Sequence, residues 1–288
     1  YHHYYAGRHD LWRGLNEVFE KGYSTELFAD EACRFITENK QSPFFIYLPF
    51  NAPHFPSKRN KQPGQGNEWQ APDSAFAAYG YSPETKDPRK RYRAVVTALD
   101  TAIGRVLDQL DTCGLRDNTL VIWYSDNGAF MLKDRGLEVA SNKPLRDGGV
   151  TLWEGGIRVP AIVRYPGRIE AGSVNSSPLI SLDILPTLIA VSGGERPADR
   201  TLDGKNMLPV LEHPKSAEPR TFFFQYRKYA AVRHANYKLL RTNPDKPFML
   251  FDLDQDLSET TDLADQKPKI TKQMKAAYAA WEQRVQAE

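Results

Sequence analysis

Hydrophobic positions follow two alternating rhythms over the first two thirds of the chain. After Ser24 or Thr25, either of which can cap a helix, Phe28, Ala32, Phe35 and Ile36 repeat at spacings of three and four. The same spacing returns from Tyr92 to about Leu110, with Val95, Val96, Leu99, Ile103, Val106, Leu107 and Leu110 on one side. Between these helices lies Pro43-Phe-Phe-Ile-Tyr-Leu-Pro-Phe50, a continuous apolar run of the kind that suits a strand buried on both faces. Thr119-Leu-Val-Ile-Trp-Tyr124 reads the same way after an Asp117-Asn118 turn. Strand, helix, strand at this spacing predicts a mostly parallel sheet covered by helices. A third strand is expected from Ile157 to Tyr165, and a helix from about Ser181 to Val191 with Pro186 early, where a missing N–H costs less.

The texture changes after residue 211. Glu212-His-Pro-Lys-Ser-Ala-Glu-Pro-Arg220 reads as a linker, followed by four short β-rich runs at Thr221–Tyr226, Tyr229–Arg233, Tyr237–Arg241 and Phe248–Leu253. Turn residues separate them, which predicts an antiparallel meander. A closing helix, about Lys269 to Gln286, carries Ile270, Met274, Ala277, Tyr278 and Trp281 on one face. The expected organisation is therefore a large α/β domain, residues 1–211, and a small antiparallel β subdomain with a terminal helix, residues 212–288. Between Phe55 and Arg91 runs a polar stretch rich in Pro, Gly, Lys and Gln, long enough to shape a binding site.

Charge narrows the function classes. Lys+Arg 38 against Asp+Glu 36 leaves +2 over 288 residues, without the basic excess of a general nucleic-acid binder. The longest apolar run, Pro43 to Phe50, is far short of the roughly 18 residues a membrane span needs. Two cysteines, Cys33 and Cys113, exclude a disulfide scaffold and an all-cysteine zinc site, and two unpaired thiols are expected. The chain begins at Tyr1 with no leader-like segment, so either a leader has been removed or these residues belong to a longer protein.

Two segments sit just past predicted strand ends, where open α/β sheets bind ligands. In Asn51-Ala-Pro-His54-Phe-Pro56 the flanking prolines aim an imidazole that could donate to an anion or protonate a leaving group. In Ser125-Asp126-Asn127-Gly128, a carboxylate and an amide oxygen suit calcium or magnesium, although the same four residues also make a good turn. Further on, Lys143 and Arg146 offer cations near the strand ends, and glycine pairs allow close backbone approach. Glu154 and Arg158 read most simply as a structural ion pair.

Taken in order, these segments resemble the sulfatase family in its arylsulfatase-like branch. The resemblance rests on Asn51-Ala-Pro-His-Phe-Pro, Ser125-Asp-Asn-Gly, Pro144-Leu-Arg and Leu152-Trp-Glu-Gly-Gly-Ile-Arg-Val-Pro. Gly22-Tyr-Ser-Thr, Ser181-Leu-Asp-Ile-Leu-Pro-Thr, Leu202-Asp-Gly, Tyr237-Lys-Leu and Leu250-Phe-Asp-Leu…Glu259-Thr-Thr-Asp-Leu extend it over almost the whole chain. It implies an alkaline-phosphatase-like α/β/α sandwich that hydrolyses sulfate esters at a Ca2+-bound formylglycine, with Mg2+ the less expected metal. By the same resemblance Asp126 and Asn127 are metal ligands. His54 is the catalytic residue that contacts sulfate and assists the leaving group, and Lys143 and Arg146 are substrate-binding. A sulfated small molecule or carbohydrate is the implied partner, and the periplasm or the exterior of the cell the implied location.

The departures are specific. No Cys/Ser-x-Pro-x-Arg, no Asp-Asp pair and no Lys-x-His occurs in the 288 residues, so the chain is expected to be the C-terminal portion of a longer protein and inactive alone. Gly149 stands where the family usually carries a sulfate-binding lysine, five residues before the glutamate of Glu-Gly-Gly. A phosphoester or phosphonate hydrolase of the same superfamily and a non-catalytic sulfatase-like binding module are the alternatives.

Overall fold

The computed structural model describes residues 3–5, 7–55, 69–131, 138–216 and 218–287. They form two compact units, one of residues 1–119 with 132–140 and one of residues 120–131 with 141–288. The change of texture at 211/212 marks the approach to the C-terminal sheet; the compact units are divided elsewhere.

In the first unit two minimal hairpins, β1 (Tyr4–Tyr5) with β2 (Arg8–His9) and β3 (Trp12–Arg13) with β4 (Asn16–Glu17), precede α1 (Ser24–Asn39). Ser24 and Thr25 do not cap α1: Tyr23 holds the cap position without a side-chain hydrogen bond, and both hydroxyl residues are buried in the first turn. The short α2 (Asp73–Ala77) and the long α3 (Pro88–Thr112) follow. Asp87 caps α3 by accepting from the Arg89 and Lys90 amides, and Pro88 occupies the first turn, where its missing N–H is harmless. α1 packs on α3 through small side chains, Ala29 and Ala32 on one helix and Ala94, Ala98 and Ala102 on the other, all buried.

Pro43–Phe50 is extended but joins no strand pair among the described residues. Its side chains alternate, with Phe45 65% and Tyr47 74% exposed while Phe44, Ile46, Leu48 and Phe50 are half-buried. The expectation of burial on both faces is corrected: one face has cover and the other has none.

The second unit contains β5 (Val121–Tyr124) paired with β6 (Ala161–Arg164). The pairing is antiparallel, and no parallel pair occurs among the described strands. β6 starts later than expected because Glu154–Ile157 winds into one helical turn, α4. A 3-10 turn (Ser181–Asp183) leads into α5 (Ile184–Ser192), which ends at Gly193 in the left-handed conformation with φ 69°. The short α6 (Leu208–Glu212) precedes the meander.

That meander forms as its alternation predicts: β7 (Thr221–Tyr226), β8 (Tyr229–His234), β9 (Tyr237–Arg241) and β10 (Met249–Asp252), in the order β10-β9-β8-β7. Both faces are covered. Ala230, Val232, Leu239 and Leu250 pack with Met274 and Tyr278 of α7 (Pro268–Ala287), while Ala231, Leu240 and Phe251 pack with Leu152 and Trp153. Trp281 closes one edge by stacking on Phe223, with ring centroids 5.3 Å apart. Among the described residues no helix is long and apolar enough to cross a membrane.

Candidate active site

His54 belongs to the first unit and the other expected site residues to the second. The His54 loop is anchored from below. Ala52 and Trp69 are buried against Val95 of α3, and the Trp69 indole donates to the Pro53 carbonyl oxygen at 3.1 Å. Arg91 of α3 in turn donates from Nε to the Trp69 carbonyl oxygen at 2.6 Å. His54 itself is exposed, its ring stacked on Phe55 with centroids 4.4 Å apart. Nδ1 lies 2.8 Å from the Phe55 carbonyl oxygen, so in the neutral ring that nitrogen carries the proton and Nε2 is the acceptor.

In the second unit the turn after β5 is a network of local bonds. The Ser125 amide donates to the Pro160 carbonyl oxygen at 3.3 Å and its Oγ to the Asn127 carbonyl oxygen at 3.0 Å. Asp126 is exposed and accepts from the Asn127 amide on Oδ1 at 2.9 Å. Asn127, half-buried, donates from Nδ2 to the Gly128 carbonyl oxygen at 3.0 Å. The turn is seated against α4: the Gly128 amide donates to the Gly156 carbonyl oxygen at 3.0 Å. A Cβ on Gly128 would overlap the Gly155 carbonyl oxygen, so only glycine fits. Asn142 clamps the other side, accepting from the Ala129 amide at 2.9 Å and donating to the Ala129 and Asp147 carbonyl oxygens.

This arrangement fits part of a hard-cation shell. With Nδ2 of Asn127 committed to Gly128 and Oδ1 of Asp126 to Asn127, the remaining atoms are oxygens, an amide Oδ1 and a carboxylate Oδ2. Calcium takes 6–8 such ligands, and among the described residues no group of three His, Cys, Asp or Glu gathers to supply more. The two oxygens are of the type calcium takes and would fill two of its positions.

Lys143 is exposed, and its ammonium makes no ion pair or hydrogen bond among the described residues. Arg146 is engaged within the protein. Its Nη1 donates to the Glu259 carbonyl oxygen at 2.7 Å and its guanidinium lies 3.8 Å over the Trp153 ring, an architectural engagement on both counts. Gly149 is closed to any side chain: an added Cβ would meet the Gly128 carbonyl oxygen at 2.7 Å and Asn127 Nδ2 at 3.1 Å. The backbone here cannot present a lysine where the family usually has one.

Glu154 does not make the ion pair with Arg158 that the sequence predicts. It is fully buried, its Oε1 3.0 Å from Lys238 Nζ, its Oε2 3.5 Å from Arg233. Lys238, also fully buried, bridges to Glu259 at 2.8 Å, and Glu259 accepts from the Glu154 amide at 2.7 Å. Burial pushes the Glu259 carboxyl above its ordinary range, although the Lys238 charge opposes the shift. Sequence reasoning missed these partners because they lie far along the chain. A signal existed in a lysine set between Tyr237 and Leu239 in a strand whose neighbours on both faces are apolar. Asp183 was missed likewise: fully buried, it takes both Arg220 nitrogens at 2.8 Å and the Lys205 amide at 2.8 Å.

A family profile described as Sulfatase matches residues 2–194, and one described as N-sulphoglucosamine sulphohydrolase, C-terminal, matches residues 150–284. The chain belongs to the sulfatase family, within the alkaline phosphatase superfamily. It is 32% identical over 275 residues to a sulfatase of Formosa agariphila, covering 85% of this chain and 46% of that protein. It is 35% identical over 208 residues to the steryl-sulfatase of Mus musculus, covering 71% of this chain and 30% of that protein. Among solved structures, Ps i-CgsB in complex with k-i-k-neocarrahexaose superposes with a TM-score of 0.78 at 32% identity, over 93% of this chain and 56% of that one. The chain thus spans less than half the length of these two relatives. The α/β class expected from sequence holds, with an alkaline-phosphatase-like fold and a small antiparallel sheet with its C-terminal helix.

Proposed function

We propose that these residues form part of a sulfuric ester hydrolase acting on a sulfated carbohydrate, secreted or periplasmic, with Asp126 and Asn127 as ligands of a calcium ion. The observation that carries the reading is the pair of side-chain oxygens left uncommitted on a glycine-seated turn, in a chain of the sulfatase family. The carbohydrate is favoured because a 32%-identical neighbour was crystallised with a neocarrahexaose. Bound calcium would supply positive charge opposite the sulfate oxygens, and a formylglycine outside these 288 residues the nucleophile.

The chain's own groups have distinct tasks. His54, once protonated, gives a proton to the oxygen that leaves as an alcohol, while Phe55 fixes the ring through Nδ1. Lys143 holds an anionic sulfate oxygen as a point charge, the task that Gly149 cannot perform, while Arg146 is engaged by Glu259 and Trp153. Sulfate release from a sulfated galacto-oligosaccharide tests the reading in the whole enzyme. Asp126→Ala is expected to lower it by roughly a hundredfold or more. The 288 residues alone, without the nucleophile motif, are expected to give no turnover; measurable turnover by them would overturn that assignment.

A further inference from the structure

Lys238, Glu154 and Glu259 are each fully buried, and none has a part in the chemistry proposed above. Lysine and glutamate almost never go fully inside unless paired. Exchanging a buried ion pair for apolar side chains is often neutral or stabilising, so stability alone is a poor explanation for such a cluster. Its position suggests another. Lys238 lies on the face of β9 that packs toward Leu152 and Trp153, and it bridges Glu154 at 3.0 Å and Glu259 at 2.8 Å. Glu259 holds the same point twice more, accepting from the Glu154 amide on Oε2 at 2.7 Å and from Arg146 on its carbonyl oxygen at 2.7 Å. It does so in a left-handed conformation, φ 54°, which a non-glycine residue keeps only where its surroundings over-determine it.

Glu154 opens α4, and the next two residues are the seat of the metal-ligand turn. The Gly155 amide donates to the Arg146 carbonyl oxygen at 2.9 Å, and the Gly156 carbonyl oxygen accepts from Gly128 at 3.0 Å. Gly128 has no side chain to absorb a displacement and no room for one. The links from Lys238 to Asn127 are thus buried ion pairs, hydrogen bonds and peptide units in unbroken succession.

We infer that Lys238 is a positioning residue, acting through Glu154 and Glu259 to hold the Ser125–Ala129 turn, and with it Asp126 and Asn127, in register with the C-terminal sheet. Its bearing on catalysis rests on the calcium-ligand reading; the mechanical coupling does not. That sheet then has a task in the site through Lys238.

Hydrogen exchange resolved to single amides in the full chain tests this without any metal. In Lys238→Met, the Gly128 and Ala129 amides are expected to exchange roughly tenfold faster, while those of Phe223 and Val232 in the β7–β8 ladder stay within about twofold. Lys238→Met leaves the buried Glu259 without its cation and Glu154 with only Arg233 at 3.5 Å, so a second pair of variants secures the test if it fails to fold. Glu259→Ala removes the acceptor for the Glu154 amide and is expected to loosen Gly128 similarly, whereas Glu259→Gln keeps an acceptor and is expected to restore most of the protection. Unchanged exchange at Gly128 and Ala129 in Glu259→Ala, or an equal rise at every amide, would overturn the inference. Loosening of Gly128 together with undiminished sulfate release by Asp126→Ala would instead retain the coupling and reject the ligand assignment.

Discussion

Two stretches of this chain read alike and are covered differently. Pro43–Phe50 and the β8–β9 hairpin are both short apolar runs. In β8 and β9, Ala231, Val232, Leu239 and Leu240 reach 0% exposure, with a ladder on each edge, α7 on one face and Leu152 and Trp153 on the other. In Pro43–Phe50 the run is extended and unpaired among the described residues, and Phe45 and Tyr47 stand mostly in solvent. β6 lies between these cases, paired on one edge with Ile162 65% exposed. An apolar run states a demand for cover; only elements elsewhere can meet it.

Stability measurements on point variants can break this contrast. Asp183→Ala would remove the fully buried carboxylate that takes both nitrogens of the partly buried Arg220, and Phe251→Ala would open a cavity under Trp153; each is expected to cost about 3–5 kcal/mol in denaturant unfolding. Gly128→Ala forces a Cβ onto the Gly155 carbonyl, an overpacking expected to cost about 1–3 kcal/mol. Phe45→Ser and Tyr47→Ser are expected to stay within about 0.5 kcal/mol of the parent and to lessen self-association, read by light scattering. A loss at Phe45 as large as at Phe251 would show that the segment is packed after all, and the contrast would fall.

The smallest expected effect concerns acid. Hydrogen bonding from Arg34, helped by Arg13, holds the Glu31 carboxyl below its ordinary value against some desolvation. A carboxylate depressed on folding contributes stability above its unfolded pKa and loses it as pH falls through the folded value. Glu31→Gln should therefore lower the melting temperature slightly at neutral pH and not at all well below pH 4.5, since the pair is exposed. A gap that widened in acid would contradict the assignment.

Much of this was legible from local pattern. α1, α3, α7 and the four meander strands fall within a few residues of where periodicity puts them, and the turns carrying His54 and Asp126 follow apolar runs as expected. Direction and partnership were not legible. Nothing in Val121–Tyr124 or Ala161–Arg164 encodes that they run antiparallel, because a short apolar strand carries the same residues either way. Glu154 was assigned to Arg158, four residues on, when its partner Lys238 lies 84 residues away. Nearness along the chain is a weak guide when the charges are buried, since each needs a partner that the fold brings to it in the interior. Gly149 was legible as a departure but not as a necessity; only the Gly128 carbonyl beside it explains why no lysine fits.

The central claim is that the turn after β5 supplies metal ligands to a sulfatase. Sulfate release from a sulfated galacto-oligosaccharide by the whole enzyme, compared between parent and Asp126→Ala, tests it most directly. The account predicts a loss of roughly a hundredfold or more that added calcium restores only in part. Equal rates in the two proteins would contradict it.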